Sequence, residues 1–228
     1  MIILDWMDRE TAADYAIRVI LYNIIHLELA PGSEISSNKL SEALSLSRMP
    51  VREALTALSR IGLVEILPQR GTYVSKIDRD LVEESKFMRL VLETAVIRLA
   101  CEGVEQRWIN TLTENLALYR AAAECGDHDR TLEIDNEFHR DIFSAVNKSW
   151  TYSKIKDDMS HFDRLRMLSM PFIKDKAADT LREHEDILYA ITRKDPEMGE
   201  MMIRRHLEHS MTEIDQVMQE YPDYFVRK

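Results

Sequence analysis

Four residues in the second half of this chain have side chains that together suit metal chemistry: Asp135, His139, His184 and His206. Asp135 and His139 are four apart, so on a helix they share one face. Ile142 and Val146 continue that face and mark it as inward. His184 falls on the stripe Leu181, His184, Leu188, Ile191, and His206 borders the stripe Ile203, Leu207, Ser210, Ile214. Three separate helices thus aim imidazole or carboxylate toward a bundle interior. Neutral imidazole with carboxylate suits a divalent metal such as Zn²⁺ or Ni²⁺, with Mn²⁺ a further candidate. The spacing alone leaves a plainer reading open. A histidine beside an apolar stripe is more often a core residue satisfied by its neighbours, and Asp135/His139 also reads as a helix ion pair. His26, His128, His161 and His209 show how readily the residue occurs.

A second set lies near the N-terminus. Arg48 and Arg52 are one helical turn apart and face the same way. A guanidinium fork bonds two acceptors on a base edge or clamps a phosphate. Ser47 and the free N–H groups of a helix start suit phosphate. Arg70 sits beside Gly71 on a narrow turn that can approach a groove closely. Two arginines four apart, taken alone, are commonly just a solvated helix face.

The elements that must position these groups follow from periodicity. Thr11 to Leu29 has helical apolar spacing and stops at Ala30-Pro31-Gly32. Glu34-Ile35-Ser36 reads as extended, and Ser36 or Ser37 can cap a second helix bearing Leu40, Ala43 and Leu44. A third helix starts near Met49-Pro50, turns Val51, Ala54, Leu55 and Leu58 inward, and ends at Ile61-Gly62. Leu63–Leu67 and Thr72–Ser75 flank Pro68-Gln69-Arg70-Gly71 as a hairpin. Beyond Asp78, strand signals cease. Gly103, Gly126, Pro171 and Asp195-Pro196 punctuate helices expected near 79–102, 104–125, 129–146, 149–169, 173–193 and 196–219. The expected fold is therefore mainly α. A winged helix-turn-helix of three helices and a β-hairpin spans 1–77, and an all-α antiparallel bundle spans 78–228. Methionines such as Met88, Met167, Met202 and Met211 read as core or dimer filler.

The net charge of −10 argues at first against nucleic acid, but its distribution does not. Between Ser33 and Lys76, Lys39, Arg48, Arg52, Arg60, Arg70 and Lys76 outnumber Glu34, Glu42, Glu53 and Glu65. From Asp78 onward 31 acidic residues face 22 basic ones, so the acid lies in the second part. DNA contact needs only one basic face. No apolar run approaches the roughly 18 residues of a membrane span. The start Met1-Ile2-Ile3-Leu4-Asp5 lacks the basic opening of a signal peptide, and Cys101 and Cys125 lack metal-type spacing, so a cytoplasmic location is expected.

The N-terminal frame closely resembles the GntR family of bacterial regulators over roughly residues 10–76. The resemblance is carried by Ala30-Pro31-Gly32-Ser33, by Ser47-Arg48-Met49-Pro50-Val51-Arg52-Glu53-Ala54-Leu55, by Gly62-Leu63-Val64 and by Pro68-Gln69-Arg70-Gly71-Thr72-Tyr73-Val74. Ser45 stands where many members have glycine, and Asn38 where some have a basic residue. The second half looks like the FCD effector domain of the FadR-type subfamily. It carries Arg89-Leu90-Val91-Leu92-Glu93, Asp135-Asn136-Glu137-Phe138-His139, the run from Glu183 to Ile191, and Arg204-Arg205-His206-Leu207. This resemblance implies DNA binding by Arg48 and Arg52, helped by Ser47, Arg70 and Gly71. It implies a divalent metal on Asp135, His139, His184 and His206, beside which a small carboxylic acid binds with Arg89 as partner. The expected protein is a metabolite-responsive homodimeric regulator of a palindromic operator, not an enzyme. The rival, a metal-dependent enzyme using the Asp/His cluster, lacks a sequence-near acid or base and leaves the N-terminal half unexplained.

Overall fold

A computed structural model describes residues 1–171, 175–209 and 214–227. The fold is mainly helical with a small antiparallel sheet. The chain forms two compact units, residues 1–79 with 218–228, and residues 80–217. The last residues thus group with the first unit, whereas the sequence reading assigned all of 78–228 to the helical domain.

The first unit contains α1 (Ala12–Ile25), β1 (Glu34–Ile35), α2 (Ser37–Leu44), α3 (Arg48–Arg60), β2 (Val64–Leu67) and β3 (Gly71–Val74). Thr11 and Ser36 cap α1 and α2 by accepting from Asp14 N and Lys39 N, which satisfies donors the first turn leaves open. Ser45 ends α2 at φ 54°, a left-handed cap that explains why glycine is common there. The sheet order is β1-β3-β2, so the expected hairpin gains β1 as a third strand. Tyr15, Val19 and Ile20 of α1, Leu40 of α2, Leu55 and Leu58 of α3, and Val64 and Val74 of the sheet form one core. The C-terminal segment returns here. Ile77 N donates to Tyr224 O at 2.8 Å and Val226 N to Ile77 O at 3.0 Å, with Phe225 buried between them.

The second unit is built from α4 (Arg79–Glu102), α5 (Gln106–Cys125), α6 (His128–Ala145), α7 (Ser149–Lys156), α8 (Ser160–Ser169), α9 (Lys176–Arg193), α10 (Pro196–His209) and the first residues of α11 (Ile214–Glu220). The single helix expected over 149–169 is two helices, separated by the 3-10 turn Asp157–Met159. The helix expected over 196–219 is described only as α10 and α11, because residues 210–213 lie outside the described residues; the stripe position Ser210 and Met211 lie there too. The core joins Ile97 and Cys101 of α4, Leu112 of α5, Phe138 and Ile142 of α6, Ile187 and Ala190 of α9, and Ile203 and Leu207 of α10. Gly199 lets α10 approach α4 closely: a Cβ there would lie 2.7 Å from Cys101 Sγ and 3.3 Å from Ile97 Cγ1.

That contact yields a test. Overpacking a filled core costs about 1–3 kcal/mol, against about 1 kcal/mol that Gly→Ala gains in helix propensity. Gly199→Ala should therefore lower stability in urea melts, and Cys101→Ala added to it should recover most of the loss. A single variant as stable as the parent would contradict this packing.

Candidate metal centre and nucleic-acid face

Asp135 and His139 project from one face of α6, His184 from α9 and His206 from α10. All four side chains are buried, and one ligand atom from each lies within 4.8 Å of the others. His139 Nε2 lies 3.7 Å from Asp135 Oδ2, and His184 Nε2 lies 3.6 Å from Asp135 Oδ1. Phe138 sets the His184 ring by stacking on it, 4.1 Å between centroids and 9° between planes.

The surroundings hold each group in a ligating form. Glu93 Oε2 lies 2.6 Å from His139 Nδ1, which places the ring proton on Nδ1 and turns the Nε2 lone pair inward. His206 Nδ1 donates to Glu183 Oε2 at 2.9 Å, and His209 Nδ1 donates to Glu183 Oε1 at 2.9 Å. Arg166 clasps Asp135 in a short ion pair, while its Nη1 donates to Asn136 Oδ1 at 2.8 Å and Asp163 Oδ1 at 3.1 Å. Burial alone would raise the Asp135 carboxyl, but Arg166 and then the three imidazoles outweigh it and hold the group far below the carboxylate range. Burial likewise works against Glu93, yet Arg89 and His139 bring it down to about 2. Burial lowers His139, with Glu93 opposing, and lowers His184 strongly. Both rings are therefore neutral at pH 7, as a metal ligand must be.

Two observations test whether a divalent ion fits. The buried His139 Nε2 and both ring nitrogens of His184 have no hydrogen-bond partner, a costly state that coordination would relieve at one nitrogen of each ring. The connected buried network also holds four carboxylates (Glu93, Asp135, Asp163, Glu183) against two guanidiniums (Arg89, Arg166). A divalent cation would supply counter-charge to that excess of carboxylate. The donor set, three imidazoles and one carboxylate, fits a divalent transition metal. When bound, such an ion supplies open coordination positions for an oxygen ligand.

A cavity opens beside this cluster, lined among others by Arg89, Tyr119, Arg166, Lys176, Thr180 and His209. Arg89, expected as a partner for an effector, lines it but is buried, and its Nε donates to Glu93 Oε1 at 2.6 Å. Arg166 and Asp163 were not singled out from the sequence, and Asn136, Glu93 and Glu183 figured there only as motif residues without a role. Their one available signal was chemical: polar residues at core-facing positions beside the expected ligands.

The first unit displays the other set. Ser47, Arg48 and Arg52 are exposed at the start of α3, and Ser47 makes no capping bond with its side chain. Arg70 is exposed on the tight turn between β2 and β3, where Leu67 pairs with Gly71. Gln69 and Gly71 both have positive φ, 61° and 119°, and a Cβ at Gly71 would press on the Tyr73 ring at 3.3 Å. Tyr73 Oη steadies the turn by donating to Arg70 O at 2.8 Å.

Comparison with known proteins now decides the family. The sequence model of bacterial regulatory proteins, gntR family, matches residues 15–74, and that of the FCD domain matches residues 86–209. The chain belongs to the GntR family. The HTH-type transcriptional repressor RspR of Escherichia coli K12 is 32% identical over 208 residues, covering 91% of each chain. The gluconate operon transcriptional repressor of Bacillus licheniformis is 28% identical over 200 residues, 85% of this chain and 81% of that one. The fold is shared with Escherichia coli McbR/YncC, with a TM-score of 0.79 at 20% identity over 93% of this chain and 99% of that one. Like its family, this GntR-type, FCD-containing protein is a DNA-binding transcriptional regulator. Among the described residues no helix is long and apolar enough to cross a membrane.

The ion-pair network yields a second test. Removing one partner of a buried pair costs about 3–5 kcal/mol. In metal-free protein Arg166→Met should lose stability on that scale in urea, because Asp135 and Asp163 both lose a counter-charge. A loss below about 1 kcal/mol would show that the pair is not buried as described.

Proposed function

We propose that this GntR-family protein is a FadR-type, cytoplasmic repressor whose grip on a two-fold operator is set by a small carboxylic acid bound at a divalent metal. The observation that carries the reading is the cluster of four buried ligand atoms within 4.8 Å of one another, backed by Glu93, Glu183 and Arg166. Asp135, His139, His184 and His206 hold the ion, Zn²⁺ or Ni²⁺ ahead of Mn²⁺. The effector carboxylate takes an open position on it, in the cavity shared with Arg89 and Arg166. Repression is the direction of control that the names of RspR and the gluconate operon regulator support.

The DNA-contacting residues are Arg48 and Arg52 on α3, with Ser47 on phosphate and Arg70 and Gly71 at the wing. A homodimer presents two such heads to a palindromic site, because one module alone makes few contacts. For the acid to regulate, it must bind one spacing of the heads more tightly than the other.

Two experiments test this reading. In gel-shift titrations Arg52→Ala should weaken specific operator binding by about 1–3 kcal/mol, while Arg70→Ala should weaken specific and scrambled duplexes alike. Unchanged affinity of both variants for both duplexes would remove these residues from the interface. For the metal, elemental analysis should find one divalent ion per chain in the wild type and a large loss in His184→Ala and in His206→Ala. Full occupancy in the double variant would place the ion elsewhere.

A further inference from the structure

The exposed face of α3 is not uniformly polar. Met49, Arg52, Glu53, Thr56 and Arg60 are all exposed, at i, i+3, i+4, i+7 and i+11, and they line one surface groove. Met49 stands apart in that row. It is 65% exposed, more than any other large apolar side chain among the described residues of the first unit. It takes no part in the core, which α3 meets through Val51, Ala54, Leu55 and Leu58. The first turn of a helix favours acidic or hydrogen-bonding side chains, and a thioether is neither. Nothing in the described fold calls for methionine at this position.

The surface that α3 meets on DNA gives such a side chain a use. The N-terminal residues of a recognition helix lie at the base edges of the major groove. Those edges carry hydrogen-bond donors and acceptors, and a single kind of apolar group, the C5-methyl of thymine. Arg52 has the fork that suits guanine O6 and N7. Met49 offers apolar surface alone, which a donor or acceptor leaves unrewarded and a methyl group rewards. Its unbranched chain and polarizable sulfur let it settle against a small apolar target. Arg52 lies three residues further on, about 4.5 Å along the helix axis. Successive bases rise about 3.4 Å, so the bases that the two residues reach lie within two steps of each other.

We propose that Met49 is a specificity-determining residue that reads a thymine methyl, within two base steps of the base that Arg52 reads. This rests on α3 as the base-reading helix and adds one contact to it. Operator duplexes are first enriched from a randomised pool with the full chain. Each thymine is then replaced singly by deoxyuridine, which removes the methyl and nothing else. At one thymine in each half-site the replacement should weaken binding about fourfold, the worth of one buried methyl. Met49→Ala should bind the thymine operator more weakly than the parent and be indifferent to deoxyuridine at that position. It should bind a scrambled duplex, and melt in urea, as the parent does. If no single replacement changes affinity, or if Met49→Ala keeps the parent's sensitivity, the inference is overturned; an Arg52→Ala protein that still loses operator affinity then leaves α3 standing as the reader. A pool that yields no enriched duplex, or Met49→Ala and Arg52→Ala proteins that both bind the operator as the parent does, overturns both.

Discussion

The helical domain is organised around the burial of polar groups that cannot satisfy one another. Three imidazoles and a carboxylate meet in the buried interior of the bundle, and burial pushes two of the rings toward the neutral form. Such an arrangement is costly unless something completes it. Every nearby feature is shaped by that requirement: Glu93 and Glu183 fix ring protons, Arg89 holds Glu93, and Arg166 holds Asp135 in its ionised form. The bundle's apolar core, built from α4, α5, α6, α9 and α10, surrounds these groups and fixes the helices that carry them.

The network also explains the placement of Phe162. Its buried ring has the Arg89 guanidinium 5.3 Å and the Arg166 guanidinium 5.6 Å from its centroid. Each cation gains from the ring quadrupole. Both line one cavity, each neutralised on its other side by a carboxylate. A site built this way has its charged groups held in place by one another.

Much of this was legible in sequence because regular helices convert spacing into direction. Asp135 and His139 at i, i+4, and His184 and His206 beside apolar stripes, were visible as inward-facing. Arg48 and Arg52 were visible as one exposed turn, since Val51, Ala54, Leu55 and Leu58 claim the other face. What periodicity could not reveal is where it fails. All ten residues of α8 are buried, including Asp163, Arg164 and Arg166, so this helix has no polar face to mark its orientation. The break at Asp157–Met159 carries no proline or glycine. The return of Phe225 to Ile77 is a long-range pairing of two single residues, which no local pattern encodes.

The central claim is that one ion sits among Asp135, His139, His184 and His206, and X-ray absorption at the metal edge tests it most directly. Zinc- or nickel-loaded protein should show scattering from three imidazoles and an oxygen shell, falling to two imidazoles in His206→Ala. A spectrum without imidazole scattering, or one unchanged by that substitution, would contradict the account.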